Sequence, residues 1–139
     1  MNIMAFDAGT KRIGVAVGDD SLKIAMPVKY IDNNPTLVSE IQRLFDEYSP
    51  GEIVVGNPLN MDGTKNPMTR FADDLVEIIR AIAPDRKITM WDERLTSAEA
   101  GDLMIKNGLS RKKRKKTADK IAAALILQSY LDSPGKKGK

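Results

Sequence analysis

Four acidic residues stand where side chains can do chemistry. Asp7 closes an apolar run at residues 2–6 and precedes the turn Ala8-Gly9-Thr10. Asp92 and Glu93 follow a strand candidate, Lys87-Ile88-Thr89-Met90-Trp91, and Asp119 stands near the start of an otherwise apolar helical stretch. The chain has no histidine and no cysteine. That removes Ser-His and Cys-His triads, thiolate chemistry and almost every zinc site. The remaining oxygen donors favour hard cations such as Mg²⁺ or Mn²⁺. Three carboxylates from separate elements could form an oxygen cage for one or two ions. A pair of ions ~3.5–4 Å apart activates a water and stabilises the leaving oxygen in phosphodiester cleavage. Neighbouring side chains on a regular strand point to opposite faces, so only one of Asp92 and Glu93 can share a face with Asp7. Each acid alone has a plainer explanation: Asp7 as a turn former, Asp119 as a complement to a helix dipole, and Asp92 or Glu93 as a partner for Arg94. The constellation, not any one member, favours a metal site.

The charge distribution supports a polyanionic partner. Residues 106–139 carry 11 Lys/Arg against 2 acids, whereas residues 1–105 carry 11 against 17, and the whole nets +3. Six consecutive basic residues, Arg111, Lys112, Lys113, Arg114, Lys115 and Lys116, lead into the stretch holding Asp119. Such a run is often a solvated connector; beside a candidate ligand it suits phosphate contacts, which give affinity without sequence choice. Lys11, Arg12 and Arg94 adjoin the acids and are candidates to clamp phosphates or steady the carboxylates. With aromatic residues at 5%, base stacking is not expected to be the main grip.

The elements that must position these groups follow from periodicity. Residues 2–6 and 13–17 predict two strands joined by a tight turn, and 24–31 a third, edged at Pro27. Leu37, Ile41, Leu44, Phe45 and Tyr48 share a helical face after the start signal Asn34-Pro35-Thr36. A buried strand at 52–56 follows, then a polar loop at 57–64 that either lines the site or is a plain Asp62-Gly63 turn. Next come a helix from about Pro67 to before Pro84, a strand at 87–91, a helix from Thr96 to Gly108, and a last helix at 118–132 capped by Thr117. This is an α/β domain with a mixed sheet. The expected organisation is one domain over 1–132 with a disordered basic tail at 133–139. Without a signal peptide or a span of ~20 apolar residues, a cytoplasmic address and no membrane contact are expected.

Taken together, Asp7-Ala8-Gly9-Thr10-Lys11-Arg12-Ile13-Gly14-Val15-Ala16-Val17, Pro58-Leu59-Asn60-Met61-Asp62-Gly63-Thr64, Trp91-Asp92-Glu93-Arg94-Leu95-Thr96, the basic run and the block from Asp119 to Leu131 resemble the YqgF/RuvX family. These proteins are RNase H-like relatives of Holliday junction resolvases. Asn57 departs from the apolar residue of many relatives. The resemblance implies a five-stranded sheet, three antiparallel strands followed by two parallel ones, flanked by helices. It implies metal ligands at Asp7, Glu93 (with Asp92 in reserve) and Asp119, and a catalytic centre drawn from these four acids. It further implies nuclease action at the 5′ end of pre-16S rRNA, with branched DNA as the alternative substrate. A non-catalytic RNA-binding assembly factor on the same fold is a rival. So is an ATP-binding protein, since an Asp-x-Gly-Thr turn also opens the actin and hexokinase fold; that class, however, closes two such domains around its nucleotide.

Overall fold

In the computed structural model, residues 1–93 and 111–133 are described, with side chains in the last helix from Ala122 onwards. The described elements are β1 (Asn2–Ala8), β2 (Arg12–Asp19), β3 (Ile24–Asp32), α1 (Leu37–Tyr48), β4 (Glu52–Asn57), α2 (Thr69–Ile82), β5 (Lys87–Asp92) and α3 (Arg111–Asp132). The expected helix from Thr96 to Gly108, Arg94 and most of the tail lie outside the described residues. No described helix is long and apolar enough to cross a membrane.

The strands form one sheet in the order β3-β2-β1-β4-β5. β1 pairs antiparallel with β2, and β2 with β3. β4 joins β1 in parallel, and β5 joins β4 in parallel. Short turns allow the antiparallel pairs, whereas each parallel addition needs a helical crossover, and α1 and α2 supply them. β3 is an edge strand, the position where Pro27 is tolerated, and its register against β2 shifts between Val15 and Ala16.

Alternation along the strands divides the core between two faces. Met4, Phe6, Val15, Ile53 and Val55 pack with Ile41, Phe45, Leu75 and Ile79 of α1 and α2. Ile3, Ala5, Ala16 and Val54 pack on the other face against Ala123, Ile126, Leu127, Tyr130 and Leu131 of α3. Polar links fix the C-terminal half of α3. Gln128 accepts from the Ala25 amide at 3.0 Å and donates to the Lys23 carbonyl at 2.8 Å. Trp91 Nε1 donates to Ser129 Oγ at 3.1 Å, and the Tyr130 hydroxyl bonds the buried Glu52 carboxylate.

Two of the boundaries that differ from expectation bear on the candidate site. β1 extends through Asp7 to Ala8, because the return strand β2 pairs with both residues. α3 begins at Arg111 rather than after Thr117. Lysine and arginine are good helix formers, and nothing between residues 109 and 133 breaks a helix, so the basic run is its first turns and not a connector.

Candidate active site

Asp7 inherits its direction from β1. Since Ile3 and Ala5 face α3, so does Asp7, two residues further along. In β5, Ile88 and Met90 pack toward α1 and α2 whereas Trp91 packs toward α3. The next residue on the Trp91 side is Glu93; Asp92 belongs to the other side, opposite Asn57 in the β4–β5 register. Strand parity, carried one residue past the end of β5, thus puts Glu93 rather than Asp92 on the Asp7 side of the sheet. Glu93 crosses toward β1, and its carboxyl hydrogen-bonds that of Asp7.

Glycine makes that crossing possible. A Cβ on Gly56 would lie 3.0 Å from both Cγ and Cδ of Glu93 and 2.6 Å from Cδ1 of Ile126. The bare backbone of β4 is thus the floor on which the Glu93 side chain lies, with Ile126 of α3 beside it. On the other flank Asp7 pairs with Gly14, and Gly14 with Tyr30. Asp7 consequently stands on the sheet with a glycine beside it on β2 and Gly56 near it on β4.

Burial is the largest reason that the Glu93 carboxyl is pushed up, from an ordinary 4.5 to about 9; the hydrogen bond to Asp7 and the charges of Asp7 and Asp92 add to it. Two carboxylates in contact cannot both stay ionised unless a cation lies between them. One alternative is a shared proton, with protonated Glu93 donating to Asp7. The other is a hard metal ion, which this oxygen-only donor set suits. Asp7 and Glu93 could supply two oxygen ligands; among the described residues no cluster of three potential ligands forms. Asp119 lies on α3, seven residues and so about two turns before Ile126, which like Glu93 lies close to Gly56.

The cleft beside Asp7 has a volume of about 440 Å³ and is lined by Asp7, Gly9, Thr10, Lys11, Arg12, Gly14 and Tyr30. Lys11 on the β1–β2 turn and Arg12 at the start of β2 are both exposed. Gly9 is required there, because a Cβ would come 2.5 Å from the Arg12 carbonyl oxygen. Asn33 braces the same turn: its side-chain amide donates to the carbonyls of Gly9 at 3.3 Å and Thr10 at 3.4 Å, and its backbone amide to that of Lys11 at 2.9 Å. Arg12 lies over the Tyr30 ring, 4.9 Å from its centroid. The basic run Arg111–Lys116 occupies the first turns of α3.

The loop after β4 is braced by its own side chains. Asp62 accepts from the Thr64 amide at 3.0 Å and hydroxyl at 2.6 Å, and Asn66 donates to the Pro58 carbonyl at 2.7 Å. Both an Asp62-Gly63 turn, with Gly63 at φ 89°, and a fixed loop at the carboxyl end of a central strand are therefore present.

Gly14, Gly56, Tyr30 and Asn33 are not among the candidates that the sequence singles out. The signal for the two glycines is their place inside buried strands, where glycine commonly marks a close approach. Nothing in the sequence alone marks Tyr30 or Asn33, since their relation to the site depends on the register of β3.

A family model described as RuvX, Holliday junction resolvase, matches residues 1–133. A Clostridium tetani protein named "Putative pre-16S rRNA nuclease" is 43% identical over 135 residues, covering 96% of this chain and 97% of its own. A Thermoanaerobacter pseudethanolicus protein of the same name is 43% identical over 144 residues, covering 99% and 100%. Among solved structures, T. thermophilus RuvC in complex with a Holliday junction superposes with a TM-score of 0.57 at 12% identity, over 99% of this chain and 96% of that one. The fowlpox virus Holliday junction resolvase gives 0.58 at 15%, over 95% and 99%. The structural likeness bears out the expected RNase H-like fold, and the family match over residues 1–133 together with relatives 43% identical along nearly their whole length shows that the chain belongs to the RuvX family.

Proposed function

We propose that this chain is a metal-dependent endonuclease that hydrolyses phosphodiester bonds at the 5′ end of pre-16S rRNA. The observation that carries the reading is the Asp7–Glu93 carboxyl pair, held on one sheet face over Gly56. The substrate rests on the names of the relatives, which are similar along nearly the whole chain. Asp7, Glu93 and Asp119 would hold Mg²⁺ or Mn²⁺, in a pair of ions, with Asp92 as a nearby acid rather than a ligand. When bound, the metal supplies an activated water and charge stabilisation at the leaving oxygen.

The chain's own groups do the rest. Lys11 and Arg12, on a turn braced by Asn33, bind phosphate oxygens beside Asp7. Arg94 is assigned the same task. Arg111–Lys116 bind the nucleic-acid backbone further along and bring it to Asp119 on the same helix. Precursor rRNA as substrate implies a cytoplasmic address.

The family description supports a second reading, resolution of four-way DNA junctions. The test is cleavage of a pre-16S rRNA 5′ segment and of a four-way DNA junction with Mg²⁺ or Mn²⁺, using the unmodified chain, Asp7→Asn, Glu93→Gln and Asp119→Asn. We expect rRNA cleavage that each substitution lowers by about 100-fold or more, on the order of what removing a group that acts in the transition state costs. Cleavage that survives Asp7→Asn and Asp119→Asn would sink the metal-site assignment. RNA binding with no cleavage under any metal would favour an assembly factor instead.

A further inference from the structure

The chain has seven aromatic residues. Phe6 and Phe45 lie in the core under α1 and α2, with Tyr48 and Phe71 packed against it. Tyr130 belongs to the core under α3, and Trp91 packs against it edge-on, 5.2 Å between ring centres. Among the described residues, Tyr30 joins neither core cluster. It lines the cleft that holds Asp7. The register places it in one row with Asp7, on the same face, with only Gly14 between them. Two strand spacings separate β3 from β1, so Tyr30 stands about 10 Å from the Asp7 strand, a reach comparable to one nucleotide. The Arg12 guanidinium, itself exposed, lies over the ring at 4.9 Å.

We infer that the Tyr30–Arg12 pair is a stacking platform for one unpaired nucleobase next to the phosphate held at Asp7. The inference deepens the nuclease reading and rests on it for the position of that phosphate. A cation over an aromatic ring is a ready stack for a base, because every base has a π-face and guanidinium planes stack on both. Gly14 contributes by leaving the floor between carboxylate and ring bare, so that a sugar and phosphate can lie across it. A base inside a duplex cannot take this seat without leaving its partner, so the platform selects single-stranded substrate over paired. The same chemistry accepts RNA or DNA. An edge-strand brace, with Arg12 and Tyr30 only tying β2 to β3, is the competing role, and it makes no difference to bases.

The test uses a short single-stranded RNA carrying 2-aminopurine at each position in turn, bound to the full chain in EDTA so that nothing is cut. Stacking quenches this base. The expected result is strong quenching at one position, lost in Tyr30→Leu, which keeps bulk but has no π-face, and retained in Tyr30→Phe. Affinity of Tyr30→Leu should fall about tenfold, within the range measured for losing one base–aromatic stack. The same RNA paired with its complement should show no Tyr30 dependence. With cleavable substrate, Tyr30→Leu should raise KM more than it lowers kcat. Equal quenching and affinity in the unmodified chain and Tyr30→Leu, or no quenching at any position, would overturn the platform. If the quench is found but no nucleic acid is cleaved, the platform stands and the nuclease reading fails. If Asp7-dependent cleavage is found and Tyr30→Leu changes nothing, the reverse holds.

Discussion

Gly56→Ala should damage the active site while adding one methyl group to a residue that does no chemistry. The new Cβ would lie 2.6 Å from Ile126 Cδ1 and 3.0 Å from two carbons of Glu93. Carbon atoms in comfortable contact sit ~3.5–4.0 Å apart, so something must move by roughly half an ångström or more. Ile126 is buried at 1% exposure and packed among Ala123, Leu127 and Tyr130, so it yields only by displacing them. Overpacking of that kind costs ~1–3 kcal/mol. Glu93 is the freer of the two neighbours, but its carboxyl must meet Asp7, and a misplacement of about 1 Å at a reacting centre can cost on the order of 100-fold. We expect a lower Tm and a kcat reduced by about 10- to 100-fold, with KM little altered because Lys11, Arg12 and the basic run are untouched. Ile126→Val separates the two effects. It removes the Cδ1 that clashes, at a cost alone of ~0.5–1.5 kcal/mol, so in the double variant it should recover stability. It should not recover kcat, because the Glu93 contacts remain. The assay is rRNA cleavage with initial rates at several substrate concentrations, run well below each variant's Tm. A Gly56→Ala enzyme with kcat within about twofold of the parent, or full recovery of kcat by Ile126→Val, would refute the positioning of Glu93 by Gly56.

Three further outcomes follow from other parts of the molecule. Replacing Arg111–Lys116 by glutamine should weaken RNA binding and reduce the slope of log affinity against log salt, by about 0.7 for each single-strand phosphate no longer neutralised; an unchanged slope would exclude phosphate binding there. Tyr130 is pushed up to about 12 by burial first and then by its bond to Glu52. Its folded value lies above the unfolded 10, so its contribution to stability is complete below pH 10 and disappears as the pH rises to 12. Denaturant titrations of Tyr130→Phe should show lower stability at neutral pH, by ~1–3 kcal/mol for the missing bond to a buried carboxylate, and a smaller loss than the parent at alkaline pH; identical alkaline limbs would disprove the link. Asn33→Ala removes the side-chain brace on the β1–β2 turn, and should raise KM severalfold with a Tm change of only a few degrees. A KM equal to the parent's would mean that the turn holds its shape without Asn33.

What can be read from the sequence divides along physical lines. Asp7 is legible because a buried strand ending in Asp-x-Gly-Thr is a local pattern, and the alternation rule already reduces Asp92 and Glu93 to a choice of one. Making the choice needs the phase of β5, which Ile88, Met90 and Trp91 fix only once the helices covering each face are known. Three antiparallel strands followed by two parallel ones are expected from the resemblance, whereas the roles of Gly56, Gly14 and Tyr30 lie in pairings between distant strands, β1 with β4 and β2 with β3. A glycine acts here through what it lets a neighbour do, and the neighbour is distant in sequence. Asn33 is similar: it directly follows β3 in the chain, yet its side-chain hydrogen bonds go to the turn between β1 and β2.

The start of α3 departs from expectation for a more instructive reason. Six adjacent cations repel one another along a helix, and basic residues at a helix N-terminus oppose its dipole. Both effects favour reading Arg111–Lys116 as a connector, but the helix begins at Arg111. Its C-terminal half can sustain that electrostatic load because it is held by an apolar face and by Gln128, Ser129 and Tyr130. The load is then relieved by anything that brings negative charge to the N-terminal turns, and a phosphate backbone does so at both the side chains and the amides of the first turn. Binding should therefore stabilise the first turns of α3, and with them the helical segment that carries Asp119. In hydrogen exchange, amides of residues 111–120 should gain protection on adding single-stranded RNA in EDTA while those of 123–131 change little. Equal gains in both halves, or none, would separate substrate grip from the positioning of Asp119.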